Sequence, residues 1–343
     1  MESRLVAARF AGALASLAFI AACSDHPTVP SAPLAPSGSA ALNNAVNPGQ
    51  GEVLSHAVIH RTVEATEAAR AALGHKPGGS VELTYHGGVG GIGVETAPKV
   101  YLVVWGSQWN NNDPSGEQGI LQNFYSSVFG SSWLNSVTQY CQGVASGTTF
   151  CNGGGAAAGN GNGVFAGVWV DNAAAAPSRP AQSDLAAEAV RAAAHFGNTA
   201  AGSNNTTQYV IATSHGNSSS GFGTQYCAYH SSTSSTYGNV AYTNLPYITD
   251  AGASCGANYN GLGPNAGMTI VGGHELAETI SDQFPNGGWL DGSGAENGDK
   301  CAWIASGQGA SANTTMPNGN VFPVQSLWSN AFNSNKGGCV LSF

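Results

Sequence analysis

Apolar positions along this chain fall into short continuous runs separated by Gly-, Asn- and Ser-rich stretches. Val100–Trp105 (VYLVVW) is an unbroken apolar run, too short for a helix and long enough for a buried strand. Gly163–Val170 and Tyr209–Ala212 repeat the signal, and shorter strands are expected near Gln225–His230 and Asn239–Tyr242. Between them, residues 116–129 and 184–196 carry helical spacing, with Ser183 in position to cap the second. Met268–Asp282 reads as the last long helix, and the chain beyond it as irregular. Residues 51–73 also read as a helix, with Val53, Leu54, Val58, Ala65 and Ala69 near one side. It is either a pro-segment or a packing arm. Strands alternating with helices predict an α/β fold, a single domain built on a mixed sheet.

The N-terminal pattern is different. Arg4 and Arg9 precede the uncharged run Phe10–Ala22, which is shorter than the ~20 residues a bilayer span needs. It ends in Ile20-Ala21-Ala22-Cys23, which resembles the lipobox of bacterial lipoproteins. Residues 1–22 are therefore expected to be a signal peptide, with Cys23 the lipidated residue of the mature chain. Five prolines between residues 24 and 50 mark a tether. The expected organisation is 1–22 signal peptide, 23–80 tether and helical arm, and 81–343 the main domain. The location that follows is the bacterial outer membrane or cell envelope, or the extracellular space. Any membrane contact would be through the lipid.

Export changes the reading of the cysteines. Six follow Cys23: Cys141, Cys151, Cys227, Cys255, Cys301 and Cys339. An even set in an exported chain predicts three disulfides. Chain proximity favours pairing 141 with 151, 227 with 255 and 301 with 339, out of fifteen possibilities. No Cys-x-x-Cys spacing is present, so a cysteine zinc site is not expected.

Charge narrows the function classes. Only 8% of the 343 residues are charged, and the net charge is −9, which excludes a phosphate-binding surface for nucleic acid. The acids are clustered: Glu275, Glu278, Asp282, Asp291, Glu296 and Asp299 share a stretch in which Lys300 is the one basic residue between Arg191 and Lys336. Such a group repels itself unless a cation sits within it.

His274-Glu275-Leu276-Ala277-Glu278 gives the cluster its chemistry. On a helix, His274, Glu278 and Asp282 form one polar stripe. In H-E-x-x-H zinc peptidases the two histidines bind metal and the glutamate is the general base. Here Glu278 stands at the second ligand position, and zinc accepts a carboxylate oxygen. A zincin-like site is thus expected, with His274, Glu278 and Glu296 as ligands to Zn²⁺ and Asp299 orienting or joining them. Zinc would lower the pKa of bound water to about 7. Glu275 would be the base, and His230 or His215 would stabilise the oxyanion. Gly272 and Gly273 suggest a close approach of another backbone, or the start of the helix.

The set Gly273–Glu278, Trp289, Glu296-x-Gly298-Asp299-x-Cys301 resembles the phosphate-induced protein 1 (Exordium-like) family and its bacterial secreted relatives. Tyr85–Gly88, the VYLVVWG strand, Tyr226–His230 and Val324–Ser329 extend the likeness over roughly residues 81–343. The resemblance implies an extracellular or cell-wall protein and no settled activity. The leading expectation is a metal-dependent peptidase with a peptide or protein substrate. Its rivals are a non-catalytic cell-surface protein with Ca²⁺ in the loop 291–299, and a caspase-like cysteine hydrolase using His215 and Cys227.

Overall fold

Alternate residues of one interior strand face two different cores. In Lys99–Trp105 (β2), Val100, Leu102 and Val104 join one buried cluster, while Tyr101, Val103 and Trp105 join the other. That period of two is what a strand covered on both faces requires. The computed structural model describes residue 54 and residues 56–72 and 82–343. The expected signal peptide, Cys23 and the Pro-rich tether lie outside the described residues.

The first elements are a strand, Val58–Arg61 (β1), and a helix, Val63–Ala72 (α1). After β2 come Glu117–Val128 (α2), Val164–Asp171 (β3), Gln182–His195 (α3), Thr207–Thr213 (β4), Tyr226–Ser235 (β5), Gly238–Leu245 (β6) and Ala266–Ser281 (α4). The six strands form one mixed sheet in the order β1-β5-β6-β4-β2-β3. From β6 through β4 and β2 to β3 the neighbours are parallel; β5 is antiparallel to β6, and β1 is antiparallel to β5. Helices α2 and α4 cover one face, and α3 packs on the other. The α/β class and mixed sheet agree with the sequence.

Three expectations need correction. Residues 51–73 are not one helix. Chain 58–61 is extended, and Thr62 Oγ1 accepts from the Ala65 N–H at 3.2 Å, capping a helix that starts only at Val63. Ser183 does not cap α3; the helix begins two residues earlier than expected, at Gln182, and Asp184 accepts from the Ala181 N–H at 2.9 Å. The C-terminal region is largely irregular, as expected, but it carries two short strand pairs not expected from the sequence. Ala312–Thr315 (β7) pairs with Val321–Val324 (β8), and Leu327–Ser329 (β9) pairs with Gly338–Val340 (β10).

The disulfides join Cys141 to Cys151, Cys227 to Cys255 and Cys301 to Cys339, as chain proximity suggested. The second ties β5 to the turn before α4, and the third ties the segment after Asp299 to β10. Both therefore brace segments that carry site residues. Such bridges fit an extracellular or oxidising location. No helix among the described residues is long and apolar enough to cross a membrane.

Candidate metal centre

All sixteen residues of α4 are buried, so its polar stripe faces protein rather than water. Gly272 and Gly273 let that happen. A Cβ on Gly272 would meet Tyr125 Oη at 3.0 Å, and one on Gly273 would meet Trp133 at 3.0 Å and Phe124 at 3.1 Å. The close approach is thus by aromatic side chains, not by backbone, and the helix starts six residues earlier.

On the other side of the stripe lie three segments. β5 brings His230, the turn after Asp291 brings Glu296 and Asp299, and β1 brings His60. His230, His274, Glu275, Glu278, Glu296 and His60 have no exposed surface, and the Asp299 side chain is 20% exposed. His274 Nε2 lies 3.0 Å from Glu278 Oε1 and 3.8 Å from Asp299 Oδ1. His230 Nε2 lies 3.3 Å from Glu296 Oε1 and 3.8 Å from Glu278 Oε2.

Three overlapping sets of ligand atoms come within 4.8 Å of one another: His274, Glu278 and Asp299; His230, Glu275 and Glu278; His60, His274 and Glu275. The predicted ligands His274, Glu278 and Asp299 are brought together. Glu296 stands opposite, against His230.

Gln325 sets the orientation of His274. Its Nε2 donates to the Gly298 carbonyl at 2.8 Å, which leaves its Oε1 to accept from His274 Nδ1 at 3.2 Å. That proton on Nδ1 turns Nε2 toward the carboxylates, the role an outer partner plays for a metal-binding histidine. The loop 296–299 can reach His274 because residue 298 is glycine: a Cβ there would sit 2.7 Å from His274 Nδ1 and 2.9 Å from Glu278 Oε1. Asp299 itself uses its N–H to donate to Glu278 Oε1 at 2.8 Å.

The cluster is electrostatically unbalanced. Burial opposes a charge on His274, but Glu278, by charge and hydrogen bond, with Glu275 and Asp299, lifts it to about 9. Burial lowers His230 to about 4, against the pull of Glu278. Burial, with Glu278 behind it, raises Asp299 to about 7. Burial also drives Glu275 well up despite His274, and Glu296 well up with help from Asp282 and Glu278. Lys300 does not relieve this, because it binds Asp291 at 2.8 Å and lies over Trp328.

Several buried side-chain atoms are left without hydrogen bonds: both ring nitrogens of His60, His230 Nδ1, Glu278 Oε2 and Glu296 Oε2. Buried polar atoms are nearly always satisfied. So many in one place, of N and O type, fit a divalent cation.

Other predicted residues sit elsewhere. Asp282, expected on the polar stripe, accepts from the N–H groups of Asn286, Gly287 and Gly288 and meets the cluster only through a hydrogen bond with Glu296. His215 is half exposed and pairs through Nδ1 with Asp250 at 2.5 Å. It belongs to none of the three ligand sets. Cys227 is in a disulfide, so its thiol is not free to act as the nucleophile of a cysteine hydrolase. In the proposed calcium loop, Asp291 is taken by Ser293, Ala295 and Lys300.

His60 was missed. Its strand was hidden within a presumed helix, although the β-branched pair Val58-Ile59 and the cap Thr62 were available signals. Gln325 was noticed only as part of a resemblance. Set against protein-family models, curated proteins and solved structures, the chain has no match in any of the three.

Proposed function

We propose that this chain is a metal-dependent hydrolase acting on peptide bonds, with its centre on the stripe of α4. Glu275 carries the reading. It is a buried carboxylate beside His274 that makes no side-chain hydrogen bond and is approached by the backbone N–H of His60, and burial outweighs that contact and raises its proton affinity. Those properties suit a general base.

His274 through Nε2, Glu278 and Asp299 would hold the ion, with Glu296 and His230 across from them. The mixed N and O donors suit Zn²⁺ better than Ca²⁺, which takes six or more oxygens. The ion would supply Lewis acidity toward a carbonyl and toward water. Glu275 takes the proton of the attacking water and returns it to the leaving amine. His230, kept neutral by burial, presents an N–H to developing negative charge. Gln325 and Gly298 hold His274 in place.

In this reading the chain is exported and anchored by lipid at Cys23, and its partner is a peptide or protein substrate. The likeness to the phosphate-induced protein 1 family is kept as a proposal of kinship alongside it.

The test is metal analysis of the purified protein together with Glu275→Gln. Gln keeps the size but loses the basic oxygen. The variant should keep its metal and lose hydrolysis of a peptide library by roughly 10²–10⁴-fold. A second reading, a structural ion, is favoured by the burial of every clustered side chain except Asp299. It wins if the protein binds metal and Glu275→Gln leaves turnover unchanged or if turnover is nil in both.

A further inference from the structure

We propose that the outer edge of β5 is a binding site for an extended peptide, and that the chain's own Val58–Arg61 fills it in a self-blocked form. What the site would do to a bound peptide rests on the hydrolase reading; that it binds one does not.

A hydrolytic centre needs access, yet six of the seven clustered side chains have no exposed surface. The elements over them include β1, which lies at the edge of the sheet and pairs only with β5. Its register sets Val58 opposite His230, Ile59 opposite Tyr229 and His60 opposite Ala228. An extended peptide added to a sheet edge gains backbone hydrogen bonds whatever its side chains, with pockets reading alternate residues. With β1 displaced, the strand left at the edge is β5, the one that carries His230. Any peptide laid along it passes over the ligand cluster.

His60 behaves as an occupant rather than as a core residue. Its ring stacks on His274 at 3.8 Å between centroids, and Trp303 flanks it at 4.9 Å. Neither of its nitrogens has a hydrogen-bond partner. A structural histidine at zero exposure is expected to be satisfied. Its backbone N–H also lies beside Glu275, where the backbone of a substrate would have to be.

The segment is held by ties to surrounding loops. Trp303 Nε1 donates to the Arg61 carbonyl at 2.8 Å, and Ser231 Oγ donates to the His56 carbonyl at 3.0 Å. Arg70 of α1 donates to the carbonyls of Ala302 and Trp303. If β1 leaves, β5 keeps its pairing with β6 and its disulfide to the turn before α4. The other five strands can therefore stay as they are.

The experiment uses the full chain in two forms that free the segment. One is the double variant Val58→Asp with Arg70→Ala. The other carries a site-specific protease sequence inserted after Lys76 and is cut there. The probe is a fluorescently labelled peptide with the sequence of residues 56–66, followed by anisotropy. A second peptide with Ile59→Pro removes one backbone donor. Melting curves confirm that each form is folded.

The freed forms should bind the first peptide at least ten times more tightly than the intact wild type, and should bind the proline peptide weakly. Equal binding by freed and intact protein, or none by a freed form that melts cooperatively, overturns the proposal. Peptide binding without hydrolysis supports it while removing the hydrolase reading. Hydrolysis by the intact wild type as fast as by the freed forms does the reverse.

Discussion

The imidazole of His60 lies flat on that of His274, with centroids 3.8 Å apart and planes 3° from parallel. Two rings so placed cannot both carry a charge. Burial and then the charge of His274 hold His60 well below its ordinary value, while the carboxylates around His274 overcome burial and lift it to about 9. Without a cation the pair therefore carries its one positive charge, the extra proton, on His274 at neutral pH. A divalent ion at Nε2 must displace it, since metal binding and protonation compete for the same lone pair. Calorimetric titration of the chelator-treated protein at pH 7, in buffers of different ionisation heat, should show proton release of about one or more per ion bound. His274→Ala should abolish binding. Binding with no buffer dependence would show that the ion is held elsewhere.

Gly298 should tolerate no side chain. A Cβ would sit 2.7 Å from His274 Nδ1 and 2.9 Å from Glu278 Oε1, inside any allowed contact, so the loop or the histidine must move. Overpacking of this kind costs about 1–3 kcal/mol. Gly298→Ala should lower the melting temperature and reduce metal content together. Its backbone conformation is ordinary for an alanine (φ −76°, ψ −46°), so the loss would be due to crowding of His274 alone. Unchanged metal content would mean that His274 is not held by this loop.

The strands β2 and β4 were legible because each is a continuous apolar run buried on both faces, and β3 because its sequence carries the same kind of run although it lies half-exposed at the sheet edge. The stripe of His274 and Glu278 was legible because helical spacing alone puts them on one face. The remainder of the site depends on contacts between segments far apart in the chain. His60 and His274 are brought together only by the pairing of β1 with β5, and nothing local in the sequence states that pairing. Gln325 reaches His274 because β8 runs alongside α4. Asp282 was misread for a related reason. Helical spacing places it on the stripe, but the helix ends at Ser281, and the Asp282 carboxylate turns to the N–H groups of residues 286–288.

Cys227 lies three residues before His230 on β5, and its bond to Cys255 closes a separation of 28 residues. In the chain-entropy account, a closed loop of that size stabilises by about 3–4 kcal/mol. Replacing both cysteines by alanine should lower unfolding free energy by roughly that amount in urea titrations. Because the bond also anchors the strand that carries His230, metal affinity should fall as well. The oxidised wild type should show no free thiol among these six cysteines by mass spectrometry. A reactive Cys227 thiol would revive the cysteine-hydrolase alternative.

Glu95 should make the protein less stable as pH rises. It is fully buried and hydrogen-bonded to Gln208 Nε2 at 2.7 Å. Burial outweighs that bond and raises its pKa to about 8, against about 4.3 for an ordinary glutamate. Between these values the folded protein holds a proton that the unfolded chain has released. The unfolded state thus binds fewer protons, and the sign of linkage makes stability fall with pH across that window, then level off above about pH 8. At about 1.4 kcal/mol per unit, the effect between pH 5.5 and 7.5 is about 2 kcal/mol. Other buried acids titrate too, so the comparison is with Glu95→Gln, which keeps the contact to Gln208 and cannot ionise. Urea unfolding at the two pH values should show the wild type losing about 2 kcal/mol more than the variant. Parallel losses in both proteins would mean that Glu95 is already ionised in the fold, and that its burial is relieved by a group other than Gln208.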